Sequence, residues 1–253
     1  MSVAALDAGL VVRDLDDVEL QQQAVTLYRR VFGRQPDTGL ELNTRLLSAV
    51  LRNGGTALGV VEDGALLGFA VGFCGMSDGC VYHYSQTAAV APGQRGRGLG
   101  RMIKYAQADA ARAAGARRMR WSFDPAVARN GHFNLDVLGA VGRWYVPDFY
   151  HRPGTDRVVV DWDLETPDPE TPEAPRGGRP PAPTPEPGRA VGHWTVEDGV
   201  GRLVVPAGDT VPDGTHPRLR EGFRALLDRG LVARSCVRVS DEHAVYTFTG
   251  DAT

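Results

Sequence analysis

Ala91 to Gly115 reads APGQRGRGLGRMIKYAQADAARAAG. Gly96, Gly98 and Gly100 alternate with Arg97 and Leu99, so every second position lacks a Cβ and a ligand can come close to the backbone. From Leu99 onward Met102, Ile103, Ala106 and Ala110 recur at helical spacing, and Gly115 supplies a stop. The loop therefore feeds a helix whose first-turn N–H groups have no intrahelical partner and whose dipole adds partial positive charge. With Arg95, Arg97 and Arg101 alongside, this arrangement suits phosphate, and a diphosphate would meet guanidinium forks. A tight turn with merely solvated arginines is the alternative that the segment alone leaves open.

The 253 residues suit one large domain, or one with a small appendage, and at 42% hydrophobic they can bury a sizeable core. A formal net charge of -3 gives no bulk attraction to nucleic acid or membrane, so neither is expected as a partner. Cys74, Cys80 and Cys236 show no metal-ligand spacing and cannot all pair with one another. They read as plain thiols of a cytoplasmic protein, and no metal is expected. The opening MSVAALDAGLVVRDLDD lacks a basic region followed by an apolar run, and no segment reaches the ~18 apolar residues of a membrane span.

Residues 10–13 read as a strand. Asp16 with Glu19 gives a capping-box start for a helix that Gly33 ends, and Thr38 with Glu41 repeats the arrangement for a second helix stopping at Asn53 and Gly54. Strands follow at 56–61 and 65–73, joined at Asp63-Gly64, a strong hairpin signal. A strand at 81–90 runs into the glycine loop and its helix. Beyond them come a strand at 117–123, a short helix ending at Leu138, and strands at 143–150 and 157–164. The order is βααβββαβαββ. Residues 166–188 hold nine of the chain's 17 prolines and almost no large apolar residue, the composition of a semi-rigid tether. Strands at 202–205, 231–239 and 244–249 with a helix at 217–229 then form a β-α-β-β tail that is thin for independent stability. The expected domains are 1–165, a linker over 166–189, and an extension over 190–253.

Val90, Pro92, Arg95, Gly96, Gly98, Leu99 and Gly100 match the V-x-P-x-x-R-G-x-G-[IL]-G signature, and on these residues and the element order the chain resembles the GNAT superfamily of acyl-CoA-dependent acyltransferases. The resemblance implies an α/β fold with a mixed, mostly antiparallel sheet flanked by helices. It is closest to a bacterial subgroup with a W-[TS]-F-D-P strand end, read here as Trp121 to Pro125, followed by Asn130 to Asn134, Leu138-Gly139-Ala140 and Asp156-Arg157 through Trp162, with Lys104 and Gln107 also in place. That subgroup carries a similar tail and suggests acylation of amines on amino-acid-like molecules.

By this similarity, backbone N–H groups of Arg95, Gly96, Arg97, Gly98, Leu99 and Gly100 bind the diphosphate of acetyl-CoA or another acyl-CoA, with the Arg97 and Arg101 side chains near the phosphates. The pantetheine arm pairs with backbone at Ala88 to Val90 where that strand splays from the next, a strand N–H polarises the thioester carbonyl, and Asn130 contacts the arm. Amine attack needs a base and an acid. The family carboxylate is absent from residues 81–90, and Gln86 stands where the subgroup has a histidine. His83, with an ordinary pKa of about 6.5, is the candidate base. The family's thiolate-protonating tyrosine is replaced by Leu135, and Tyr145 and Tyr150 on the next strand are substitutes by their place in the order alone, with Tyr145 preferred as the candidate acid. Arg29, Arg30 and Arg34 could grip an acceptor carboxylate. The implied function is direct N-acyl transfer to the primary amine of a small metabolite. Two alternatives stand beside it: an acyl carrier protein as donor, and a non-catalytic acyl-CoA sensor or assembly partner. A homodimer is allowed for.

Overall fold

In the computed structural model the described residues are 9–33, 42–165, 190–208 and 210–251. They fall into two compact units divided between Met119 and Arg120. The expected linker over 166–189 lies outside the described residues, as do Arg34, Thr38 and Glu41.

The first unit carries β1 (Leu10–Asp14), α1 (Val18–Phe32), α2 (Thr44–Arg52), β2 (Thr56–Glu62), β3 (Ala65–Ser77), β4 (Cys80–Val90) and α3 (Leu99–Ala113). The strands pair antiparallel in the order β1-β2-β3-β4. β2 and the first half of β3 are buried almost without interruption, because apolar helices cover both faces. On one face Leu20, Ala24 and Leu27 of α1 and Leu47 of α2 pack with Phe69 and Val71; on the other, Leu99 and Ile103 of α3 pack with Val60, Leu67 and Ala70. Asp17, not Asp16, caps α1: its backbone is extended and its carboxylate accepts the Leu20 N–H at 2.7 Å, while Asp16 pairs with Arg13. Asn43 caps α2 by accepting the Leu46 N–H at 2.9 Å. β3 runs on to Ser77, past the expected end at Phe73, because its outer half pairs with β4 alone.

The second unit holds β5 (Arg118–Phe123, which begins just before the division), α4 (Ala128–His132) with a π-helical turn at Phe133–Val137, β6 (Val141–Val146), β7 (Arg157–Asp163), β8 (Trp194–Glu197), β9 (Val200–Pro206), α5 (Thr215–Leu227), β10 (Leu231–Arg238) and β11 (His243–Gly250). The strand order is β5-β7-β6-β10-β11-β9-β8. β10 pairs with β6 at Ala233 and Gly142, so the tail continues the same sheet. Phe223 of α5 stacks on Tyr145 at 4.9 Å and meets Tyr246 and Phe248 edge-on. β6 stops at Val146, short of the expected Tyr150, and Asp148 and His151 in the following turns have positive φ. β8 was not anticipated. In each unit the strands are mostly antiparallel and helices pack against them, a mixed α/β arrangement with five α-helices among the described residues.

Candidate functional site

α3 begins without a side-chain cap. Its N-cap is Gly98, left-handed at φ 75°, and Gly93 and Gly96 also have positive φ. Nothing lies within 4 Å of where a Cβ on Gly98 would stand. Arg95, Gly96, Arg97 and Gly98 are exposed, whereas Leu99 is buried and anchors the helix start. An uncapped helix start leaves first-turn N–H groups without intrahelical partners, which an anion can satisfy. The side chains of the loop are engaged: Arg97 forms an ion pair with Glu62 at 2.7 Å, and Arg101 lies over the Tyr105 ring at 5.1 Å.

Just upstream, β4 departs from regular pairing. Val71 faces Thr87 but Gly72 faces Ser85, so Gln86 is the extra residue of a β-bulge. Ala88 and Val90 resume the ladder opposite Ala70 and Gly68. Gln86 is exposed, whereas its neighbour Ser85 is buried. The Lys104 ammonium group donates to Ser85 Oγ at 2.8 Å. Burial drives Lys104 well below its ordinary pKa.

His83 is 1% exposed, facing α3. Its Nε2 lies 3.1 Å from Thr56 Oγ1, which also accepts from Gln107 Nε2 at 2.9 Å. Burial, aided by the Lys104 charge, lowers the imidazole to about 4, so it is neutral at pH 7. Neutrality suits a base, yet a ring this buried reaches a substrate only through another group or after movement. Gly72 makes room for it, since a Cβ there would stand 2.3 Å from His83 Nε2. Lys104 and Gln107 were singled out by the resemblance alone; nothing local marked Gly72 or the bulge.

Asn130 and Tyr145 belong to the second unit. Asn130 lies in α4, half-buried, its N–H bonded to the Val127 carbonyl at 2.9 Å. Tyr145 donates its hydroxyl to Asp156 Oδ2 at 2.5 Å. Burial and this carboxylate both raise the phenol above its ordinary pKa, which opposes ionisation. Asp156 is fully buried; burial would raise it, but hydrogen bonds from Arg220, Tyr145 and the Asp148 N–H outweigh that and hold it below the usual carboxylate range. At the end of β5, Asp124 accepts from His216 Nε2 at 3.0 Å. Sequence patterning could not pair Asp124 and Asp156 with tail residues some 60 to 90 positions away. Among the described residues no group of His, Cys, Asp or Glu is placed to hold a metal ion, and no helix is long and apolar enough to cross a membrane.

A glycine loop thus opens a helix just behind a bulged strand in the first unit. Residues 19–133 match the family described as Acetyltransferase (GNAT) family. No curated protein matches the chain in sequence. Among solved structures, the N-acetyltransferase from Staphylococcus aureus Mu50 is similar at 15% identity, with 62% of this chain and 100% of that one covered and a TM-score of 0.51. The aminoglycoside 6'-acetyltransferase type Ii is similar at 12% identity, covering 61% and 97%, with a TM-score of 0.50. A chain of the NatC complex bound to Gag peptide and CoA is similar at 14% identity, covering 61% and 98%, with a TM-score of 0.50. At such identities the likeness shows the fold.

Proposed function

We propose that this protein is an acyl-CoA-dependent N-acyltransferase that passes an acyl group directly to the primary amine of a small, amino-acid-like metabolite. The observation that carries the reading is the uncapped, left-handed start of α3 at Gly98, inside the segment that matches the family. Backbone N–H groups from Arg95 to Gly100 would hold the donor's diphosphate, with Arg101 beside it. The edge of β4 from Ala88 to Val90 would pair with the pantetheine arm, and the bulge at Gln86 would leave an N–H free of the ladder to polarise the thioester carbonyl. Asn130 is proposed as a further contact to the arm. For proton transfer His83 and Tyr145 remain the candidates; the burial of one and the engagement of the other favour indirect roles, with His83 shaping β4 and Tyr145 bracing the unit around Asp156. Residues 166–189 are proposed as a tether between 1–165 and 190–253.

Thermal shift and calorimetry with acetyl-CoA and succinyl-CoA, followed by thiol release over an amine panel, test the function. Gly98→Val is expected to abolish donor binding, because a branched side chain would fill the space the diphosphate needs and strain a positive φ by about 1–2 kcal/mol. Wild-type affinity in that variant removes the site. The same burial of His83 and engagement of Tyr145 support a second reading, a donor-binding module without turnover. Tight binding with no thiol release favours it, and a response to an acyl carrier protein alone favours the carrier as donor.

A further inference from the structure

The loop that would meet a diphosphate already holds an anion of the protein's own. Arg97 Nη2 donates to Glu62 Oε1 at 2.7 Å and Nη1 to Oε2 at 3.3 Å, the two-pronged grip a guanidinium also gives to phosphate. Nη1 donates in addition to Gln94 Oε1 at 2.6 Å, so the fork is held from the loop side as well. Glu62 is the last residue of β2 and pairs with Ala65 across the hairpin turn, which makes it a fixed point of the sheet. Its carboxyl is held below the ordinary value, first by the hydrogen bond from Arg97, and carries a full negative charge at neutral pH. Both side chains keep about a third of their surface open, at 31% for Arg97 and 30% for Glu62. An ion pair this accessible to water is weak and can exchange its partner.

We propose that Glu62 is an internal competitor for the donor's diphosphate, occupying the Arg97 fork in the empty protein and yielding it when the donor binds, so that this carboxylate sets donor affinity. The inference rests on the donor reading above. The exchange runs toward the donor because a diphosphate offers more charge and more acceptor oxygens than one partly exposed carboxylate. Glu62 opposes binding twice: it must release Arg97, and it then stays as a negative charge beside the loop. Arg97 therefore contributes less to affinity in this protein than its place in the loop suggests, since breaking the Glu62 pair offsets part of its gain.

Calorimetric titration of the full chain with coenzyme A, at low salt, tests this on the wild type, Glu62→Gln, Arg97→Ala and the double variant. Glu62→Gln is expected to bind roughly 3- to 10-fold more tightly. Arg97→Ala is expected to cost about 10-fold or more in the Glu62→Gln background but only about 2- to 3-fold in the wild-type background. Binding by Glu62→Gln where the wild type gives no heat also supports the proposal. Unchanged or weakened affinity in Glu62→Gln, or equal Arg97→Ala losses in both backgrounds, overturns it while the donor reading stands. Silence from all four proteins overturns the donor reading and this inference together.

Discussion

His83 shows how one residue's surroundings set its chemistry. Its imidazole is enclosed between β4 and α3, bonded to Thr56, and lowered by burial and Lys104 to about 4. In the unfolded chain the same ring takes a proton near its ordinary value of about 6.5. The depressed folded value means that the stability contribution of a neutral His83 is complete above about pH 6.5 and is lost as pH falls through the interval to about 4, where both states are protonated. Over that interval of roughly 2.5 units the loss amounts to about 3 kcal/mol. Urea unfolding from pH 7 to pH 4 is expected to show this decline, and His83→Asn is expected to flatten it. A variant that loses stability as steeply as the wild type would place the acid sensitivity elsewhere.

At the scale of elements, the contact between β3, β4 and α3 depends on a missing side chain. Gly72 sits at the bulge, where a Cβ would stand 2.3 Å from His83 Nε2, 2.6 Å from the Tyr84 carbonyl oxygen and 2.9 Å from Gln107 Nε2. The carbonyl belongs to β4 backbone and cannot swing aside, so a methyl group must push the strands apart or displace α3. Gly72→Ala is expected to destabilise by about 1–3 kcal/mol, the range of overpacked cores. Because β4 carries the bulge, donor affinity is expected to fall with it. Thermal unfolding and coenzyme A titration check the pair, and an alanine variant with the wild-type midpoint would mean that β4 tolerates a shift. The Asp63-Gly64 turn was legible in sequence and the cap of α1 nearly so, since a cap or turn involves residues within three or four positions, whereas Asn43 and not the expected Thr38 caps α2. The capping residue of α1 moved from Asp16 to Asp17, because which of two adjacent aspartates caps depends on where the chain leaves β1.

On the scale of the whole chain, the tail is part of the second unit. Arg220 of α5 donates through Nη2 to Asp156 Oδ1 at 2.7 Å and through Nε to Oδ2 at 3.1 Å, and Asp156 has no exposed surface. Arg220→Ala leaves a buried carboxylate with Tyr145 and one backbone N–H. About 2–3 kcal/mol of stability is expected to go, below the usual cost of breaking a buried pair because Arg220 is itself 30% exposed. Ending the chain at Glu165 removes β10 from β6 and Phe223 from Tyr145 as well, and the truncated protein is expected to be insoluble or unfolded. A soluble 1–165 fragment with cooperative unfolding would show that the first 165 residues fold without the tail.

The sequence by itself determined the local pieces. Glycines at alternate positions followed by a 3.6-residue apolar rhythm specify a loop and a helix whatever surrounds them, and the order of eleven elements through β7 followed from the same short-range signals. The tertiary structure decided the partners. Glu62 reaches Arg97 across 35 positions, Gln107 reaches Thr56 across 51, and Arg220 reaches Asp156 across 64. Such pairings are selected by which strands lie side by side and, for the buried Asp156, by the need to satisfy a charge that burial strips of water. No periodicity along the chain encodes them, because the free energy that selects them belongs to the assembled core.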